Sequence, residues 1–443
     1  MGRIIIAGAS SHSGKTTITC GLLASLRRRG LNIIAYKTGP DYIDTEYLRR
    51  SGRCEAYNLD TWLMNEDMTR ELFAITSQGN DIAVIEGAMG LYDGGINGTS
   101  GIAGLLDVPV VLVINARSMG ESAAAVALGF REYDHNINIA GVILNFTGSD
   151  YHTKIIADVL EEKGIKFLGA LRRDDDIAVP ERHLGLLQAW ENSEYDLERL
   201  GHKIDECVDV DGILRIASNV RELRPCDETA IPAVKHDVVV GVARDEAFAF
   251  CYPESLRMLE AMGAKIVYFS PLHDDILPCA DGYMFGGGFP EVFASELADN
   301  IPMLRSVREC RKPVLAECGG MMYLCRSMKD FEGNDYSMAG VIPFNSYMTY
   351  RAVMGYMTGR ALRDNILCRK NDTIRGHEFH YSRVEPEFFP DTCAFELTRR
   401  KTGTSHYGGY AKDNILASYL HINFFGNAEL AENFMNVLTS SRL

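Results

Sequence analysis

Two stretches of the sequence combine residue types and spacings that could do chemistry. The first, Ala9–Ser10–Ser11–His12–Ser13–Gly14–Lys15–Thr16, follows the phosphate-loop pattern G-x-x-x-x-G-K-[ST], with Ala9 at the first glycine and Gly8 one residue earlier. In such a loop, successive backbone N–H groups and the start of the next helix cradle phosphate oxygens. Ser13, Gly14, Lys15, Thr16 and Thr17 are then the nucleotide-binding residues, with the Lys15 ammonium on the terminal phosphates and the Thr16 hydroxyl on Mg²⁺. A serine-rich turn capping a helix is the plainer alternative. Gly-Lys-Thr-Thr after a β-branched run and before a helical pattern favours ATP.

The second stretch is Pro313–Val314–Leu315–Ala316–Glu317–Cys318–Gly319–Gly320–Met321, which reads as strand, sharp turn and helix. A thiol on such a turn is accessible, and the helix N-terminus favours its thiolate. Gly319 would place an N–H near a tetrahedral oxyanion, and Gly287 and Gly288 of Gly286–Gly287–Gly288–Phe289–Pro290–Glu291 could supply a second donor. A cysteine nucleophile needs a base. His421 is the leading candidate, and His377 and His380 compete with it. The other ten cysteines contain no C-x-x-C pair, and most of them read as reduced, buried small hydrophobes of a cytosolic protein.

Three further clusters end strand-like runs: Lys37 to Asp44, Glu86 to Gly94, and Asn115 to Ser118. Open α/β sheets bind their ligands at such ends. Asp41 and Glu86 are Mg²⁺ candidates together with Thr16, because carboxylates tolerate a triphosphate mainly through a cation. Lys37 would neutralise phosphate or bind a substrate carboxylate, and Asn115 is placed with the nucleotide contacts. For each carboxylate the alternative is a turn or an N-cap.

Positioning these residues requires an α/β scaffold. Ile4–Ala7, Asn32–Tyr36, Ile82–Ile85, Val108–Ile114 and Ile139–Leu144 are near-continuous apolar runs, as in a parallel sheet covered on both faces, and Thr16–Arg29 reads as a helix. The α/β pattern weakens between 193 and 236, around Pro225 and Pro232, and restarts at Val238–Ala243, Lys265–Phe269, Gly282–Phe285 and Val314–Ala316. This predicts a P-loop domain over 1–192, a linker over 193–236 and a second α/β domain over 237–443. The length of 443 residues suits two domains. With 60 acidic against 45 basic residues, the net charge of −15 argues against nucleic acid. The N-terminal apolar run is too short for a signal peptide, and Val108 to Ala116 is about half of a membrane span. A cytoplasmic protein with no membrane partner is expected.

The combined motifs resemble the cobyrinic acid a,c-diamide synthase family, including the related nickel-sirohydrochlorin a,c-diamide synthases. The resemblance runs through the phosphate loop, Lys37 to Asp44, Glu86 to Gly94, Pro180 to Leu186, Ala247 to Phe250, Gly286 to Glu291, Cys318, Arg375 to Ser382 and His421. It implies a dethiobiotin synthetase-like ATPase domain followed by a class I glutamine amidotransferase domain. A tetrapyrrole carboxylate would be activated as an acyl phosphate and attacked by ammonia released from L-glutamine at Cys318, at the a and c acetates in turn. By the same resemblance Asp41, Tyr42, Asp44, Glu86 and Asp93 surround Mg²⁺, the carboxylate and the ring, and a homodimer is left open.

Asn423, not glutamate, stands two residues after His421, which implies a Cys–His dyad. Thr45 stands where relatives carry proline, and Gly94 to Gly101 departs from the usual loop, so cobyrinic acid, nickel-sirohydrochlorin and sirohaem all remain as substrates. The segments Pro180 to Leu186 and Arg375 to His380 argue against cobyric acid synthase. A reading of another class, a P-loop switch ATPase with a non-catalytic glutaminase-like domain, is disfavoured by Ser10, where partitioning ATPases carry a second lysine, and by the retained Cys318.

Overall fold

The computed structural model describes residues 1–172, 194–222 and 235–442. The segment Pro180 to Leu186 lies outside the described residues. The chain divides into two compact units, Met1–Thr61 with Asn65–Glu228, and Trp62–Met64 with Thr229–Leu443.

The first unit runs β1 (Gly2–Gly8), α1 (Lys15–Arg28), β2 (Ile33–Thr38), α2 (Tyr42–Gly52), β3 (Ala56–Leu59), α3 (Thr61–Ser77), β4 (Ile82–Gly90), α4 (Thr99–Leu105), β5 (Val110–Asn115), α5 (Ser122–Tyr133), β6 (Ile139–Thr147), α6 (Asp150–Glu162), β7 (Phe167–Arg172), α7 (Glu194–Cys207) and α8 (Val210–Ser218). Among the described residues its seven strands are all parallel, in the order β3-β2-β4-β1-β5-β6-β7. Ile4, Ile5 and Ile6 of the central strand are wholly buried. Consecutive side chains of a strand face opposite ways, so three buried isoleucines in a row require cover on both faces. Burial of each is worth about 1.5–3 kcal/mol.

Residues 193–236, expected as a linker, are not one over their described part. Helix α7 packs on α1, where a Cβ added at Gly21 would meet Ile204 at 2.5 Å and one at Gly201 would meet Ala24 at 2.9 Å. Acidic residues of α7 and α8 face the basic end of α1: Arg27 pairs with Glu198 and Arg28 with Asp205 of α7, the latter at 3.1 Å, and Arg29 with Asp211 of α8 at 2.6 Å. The high acidity that made the stretch look like a tether complements three arginines at a helix C-terminus, where positive charge also suits the helix dipole.

The second unit runs β8 (Val238–Ala243), α9 (Pro253–Ala261), β9 (Ala264–Phe269), β10 (Gly282–Phe285), α10 (Ala294–Asp299), α11 (Ile301–Glu309), β11 (Val314–Glu317), α12 (Gly319–Leu324), β12 (Ser327–Lys329), β13 (Asp335–Ser337), β14 (Asn345–Ala361), β15 (Thr373–Glu385), β16 (Cys393–Arg399), β17 (Ser405–Lys412), β18 (Ile415–Ser418), β19 (Leu420–His421) and α13 (Ala428–Ser440). Strands β9-β8-β10-β11-β18 are parallel neighbours, and β18-β17-β16-β14 continue the sheet antiparallel. Phe248, Phe269, Phe285 and Tyr323 meet edge-on or tilted beneath the cysteine turn, with centroids 5.4–6.4 Å apart. No described helix is long and apolar enough to cross a membrane.

Candidate active sites

In the first unit, β1 ends at Gly8 and the chain loops to Gly14, whose left-handed φ of 83° caps α1. The close approach that such loops need falls on Gly8: a Cβ there would lie 2.3 Å from Ser13 Oγ and 2.7 Å from Ser10 O. Ala9 is therefore tolerated, and its amide donates to Val113 O at 2.9 Å, tying the loop to β5. Lys15 and Thr16 open α1, whose first amides have no partner within the helix.

The strand-end clusters converge on this turn. Thr16 Oγ1 donates to Glu86 Oε1 at 2.6 Å. Lys37 Nζ lies 2.9 Å from Glu86 Oε1 and 2.8 Å from Asp44 Oδ2. Lys15 feels Lys37, Glu86, Asp44 and Asp93, which places all five in one electrostatic cluster. Burial, followed by the Lys37 charge, pulls the Lys15 ammonium below its ordinary range. For Lys37 burial acts the same way, but Asp44, Glu86 and Asp41 outweigh it and hold the ammonium above its usual value. Burial pushes the Glu86 carboxyl up, against the pull of Lys37.

Glu86 is wholly buried, and its Oε2 has no hydrogen-bond partner, nor has Ser13 Oγ. An orphaned carboxylate oxygen beside a threonine hydroxyl at a phosphate loop suits a hard cation with oxygen ligands. Asp41 sits differently from Thr16 and Glu86. Its Oδ1 accepts from the amides of Ile43 and Asp44, both at 3.0 Å, as the N-cap of α2. Tyr42 is buried in the first turn of α2. Asp93 Oδ2 accepts from Gly90 N at 3.0 Å and shapes the loop after β4. Asn115 ends β5, and its Oδ1 accepts from Arg117 N at 3.0 Å. Thr17 is half-buried in α1. Thr45 places Oγ1 2.9 Å from Asp41 O and 3.0 Å from Asn58 Oδ1, bonds that the proline expected from the resemblance could not make.

Sequence reasoning missed Asn145. It follows the last residue of the run read as Ile139–Leu144, and its Nδ2 donates to Ser13 O at 3.0 Å, bracing the loop from β6. The signal was its place at a strand end, where the other clusters had been found.

In the second unit, Cys318 sits between β11 and α12 at φ 48°, ψ −106°, outside the ordinary regions for a side-chain-bearing residue. Its amide donates to Ser418 O at 2.7 Å, and its Sγ lies 3.8 Å from Phe379 O. A strained residue held this firmly marks a functional turn. His421, on β19, is almost wholly buried and hydrogen-bonds both Cys318 and Glu317. Burial alone would lower the imidazolium, but these two partners raise it to about 10.

His377 faces His421 across the β15–β19 pair. Burial first, and then His421, lower it to about 3, and its Nδ1 has no partner. His380 stacks on Tyr419 at 3.8 Å and places Nδ1 2.8 Å from Ser382 O, and burial lowers it to about 4. Of the three histidines, His421 is the one placed against the thiol.

The glycine loop needs one correction. The Gly287 amide, expected as an oxyanion donor, donates to Phe250 O at 2.8 Å. The loop folds onto Ala247–Phe250 so closely that a Cβ on Gly288 would lie 1.9 Å from Ala247 O. Gly288 N lies 3.1 Å from the place a Cβ on Gly319 would take, so the backbones of Gly288 and Gly319 come side by side, and these two remain as the candidate donors. Gly287 serves His421 instead: a Cβ there would stand 2.7 Å from the ring's Cε1.

Comparisons with known proteins agree with this division. The CobQ/CobB/MinD/ParA nucleotide binding domain matches residues 4–187, and the CobB/CobQ-like glutamine amidotransferase domain matches residues 239–429. The chain is similar to a cobyrinate a,c-diamide synthase of Dehalococcoides mccartyi (strain CBDB1), 41% identical with 98% of each chain covered. The protein of the same description from Caldanaerobacter subterraneus subsp. tengcongensis is 40% identical, again over 98% of each chain. One from Listeria monocytogenes serotype 4b is 41% identical over 96% of this chain and 97% of its own.

Proposed function

The chain belongs to the cobyrinate a,c-diamide synthase family of glutamine-dependent ligases, and we propose that it amidates the a and c acetates of a tetrapyrrole, cobyrinic acid first among them, in the cytoplasm. ATP and L-glutamine are its co-substrates. The observation that carries the reading is the Cys318 turn with His421 against it. A phosphate loop alone would serve a switch ATPase equally well, whereas a strained cysteine turn beside a buried imidazolium has no use in one.

At the phosphate loop, Lys15 neutralises charge that builds on the transferred phosphoryl group as a substrate carboxylate oxygen attacks it and ADP leaves. Lys37, held between Asp44 and Glu86, orients the carboxylate being activated. Thr16 and Glu86 are the residues that would hold Mg²⁺, which supplies charge neutralisation on the phosphates. Tyr42, Asp44 and Asp93 flank the acceptor. The product of this half-reaction is an acyl phosphate.

At the second site, His421 already carries the proton, and the Cys318 sulfur attacks the glutamine carboxamide carbon as the thiolate of that ion pair. Gly288 and Gly319 amides meet the oxyanion. His421 returns the proton to the departing ammonia, leaving a thioester that water hydrolyses to glutamate and free thiol. Ammonia then displaces phosphate from the acyl phosphate to give the amide.

The test is mass spectrometry of cobyrinic acid, nickel-sirohydrochlorin and sirohaem incubated in parallel with protein, ATP, Mg²⁺ and glutamine. A double acid-to-amide mass loss on cobyrinic acid is expected. The same loss on another ring alone would move the substrate assignment. ATP hydrolysis without any amidation would overturn the ligase reading in favour of a switch ATPase.

A further inference from the structure

We infer that Glu317, the residue immediately before the nucleophile, is the acidic partner of His421, so that the glutaminase site has three members, with its acid supplied from the nucleophile's own strand. The inference deepens the glutaminase reading and rests on it.

The place where a carboxylate would be sought, two residues past the base, holds Asn423. Its Nδ2 donates to Glu254 Oε1 at 2.8 Å, and its Oδ1 accepts from Gly426 N at 3.2 Å, so its amide secures the chain beyond the base. Glu317 lies where the ring needs an acid. Its Oε2 is 3.4 Å from His421 Nδ1, and its Oε1 accepts from Ile422 N at 3.1 Å. Bonds to two consecutive residues pin the carboxylate against the strand that carries the base. Nδ1 is thereby occupied, which leaves Nε2 for the thiol.

Strand geometry explains how neighbouring residues can serve one ring. Strands β11 and β18 are parallel, with Glu317 opposite Ser418, three residues before His421. In a regular strand Glu317 and Cys318 would point to opposite faces. The left-handed φ at Cys318 breaks that alternation, and both side chains hydrogen-bond the same imidazole. The carboxylate fixes the tautomer and ring orientation and stabilises the imidazolium formed when Cys318 gives up its proton, without taking that proton itself. Glu317 is thus a positioning residue.

Glu317→Gln in the full chain tests this, because glutamine keeps an oxygen for Ile422 N and replaces the charged acceptor facing Nδ1 with a neutral amide. We expect kcat for glutamine hydrolysis to fall on the order of 10²-fold or more, with KM for glutamine within about threefold. The alkaline limb of the pH profile should move to lower pH, because one of the groups that raise His421 is gone, and Glu317→Asp should recover part of the rate. A merely structural role would lower the melting temperature and leave the limb in place, and that outcome overturns the inference, as does a Glu317→Gln rate within about threefold of the parent.

A second measurement leaves Glu317 intact. In Cys318→Ala, NMR titration of labelled histidine should still find His421 above its ordinary value, held there by Glu317. A value below it, as burial alone dictates, would sink the proposal. If Cys318→Ala still hydrolyses glutamine, the underlying glutaminase reading fails. If that variant is inactive while Glu317→Gln behaves as the parent, only the present inference fails.

Discussion

In the first unit the chemistry lies at the ends of strands that all run one way. In the second it lies where a parallel sheet turns antiparallel. The phosphate loop and the start of its helix draw on local sequence, braced by Glu86 of β4 and Asn145 of β6, with Lys37 of β2 bonded to Glu86 behind them. The cysteine site takes its members from β11 and β19, about a hundred residues apart, and depends on register across β18. Their electrostatics differ as well. The first site holds an ammonium between two carboxylates and still has an orphaned oxygen on Glu86, so it is finished only by a ligand. The second closes on itself, keeping His421 charged while His377 and His380 stay neutral. A site that must receive a polyanion and a cation is left unsatisfied, whereas one that must generate a nucleophile is satisfied in advance.

The sharpest way to break the comparison is to disable each site alone. Lys15→Ala should cut amidation on the order of 10³-fold with either glutamine or ammonium as nitrogen source, because no acyl phosphate forms. Cys318→Ala should lose glutamine-dependent amidation to a similar extent and keep the ammonium-dependent reaction. Product formation with each nitrogen source decides it, and equal loss of both in Cys318→Ala would undo the two-site scheme.

Next in size is Lys37→Met. It leaves Glu86 and Asp44 without their shared cation, and urea unfolding should show the first unit destabilised by about 3–5 kcal/mol. Adding Glu86→Gln should restore part of the loss, since one uncompensated charge is then removed.

Acid should act on the second unit. Its native state resists protonating His377 and His380, with values near 3 and 4, while the unfolded chain takes up those protons near 6.5. The unfolded state therefore binds more protons, and stability falls as pH drops from about 6.5 towards 4, by up to about 1.4 kcal/mol per pH unit for each histidine. His421, raised to about 10, has the opposite sign: its contribution is full below about 6.5 and is lost as pH rises towards 10. Urea midpoints between pH 4 and 10 should trace a maximum near neutrality, and a flat acid side would contradict the burial of these two rings.

The smallest effect belongs to Asn145→Ala, which removes one hydrogen bond to the loop, about 1 kcal/mol, and should raise KM for ATP roughly fivefold with kcat little changed.

How much of this could be read in advance follows the same division. Runs such as Ile4–Ala7 and Val108–Ile114 announce strands of a doubly covered sheet, and the loop after the first run announces its ligand, because one local segment supplies both signals. Strands β14 to β17 left no comparable trace. Their two faces see mixed surroundings, and the adjacent exposed Tyr350 and Arg351 interrupt the alternation of β14. Cys318 was legible as a turn between strand and helix. Glu317 was not, since its partner is fixed only by the pairing of β11 with β18, which no local pattern encodes. The acidic stretch 193–236 misled for a related reason: composition does not reveal that Arg27, Arg28 and Arg29 wait for it.

The pairing of β11 with β18 also limits what may be altered. One residue, Tyr419, separates the end of β18 from β19, so the step from nucleophile strand to base has no slack. A single insertion between Ala417 and His421 would turn the imidazole to the opposite face of the sheet. The turn between β16 and β17, around Lys401 to Thr404, is exposed and bears on neither site. Length variation can be absorbed there, so a graft, tag or reporter belongs in that turn, while the few residues before His421 behave as a fixed ruler.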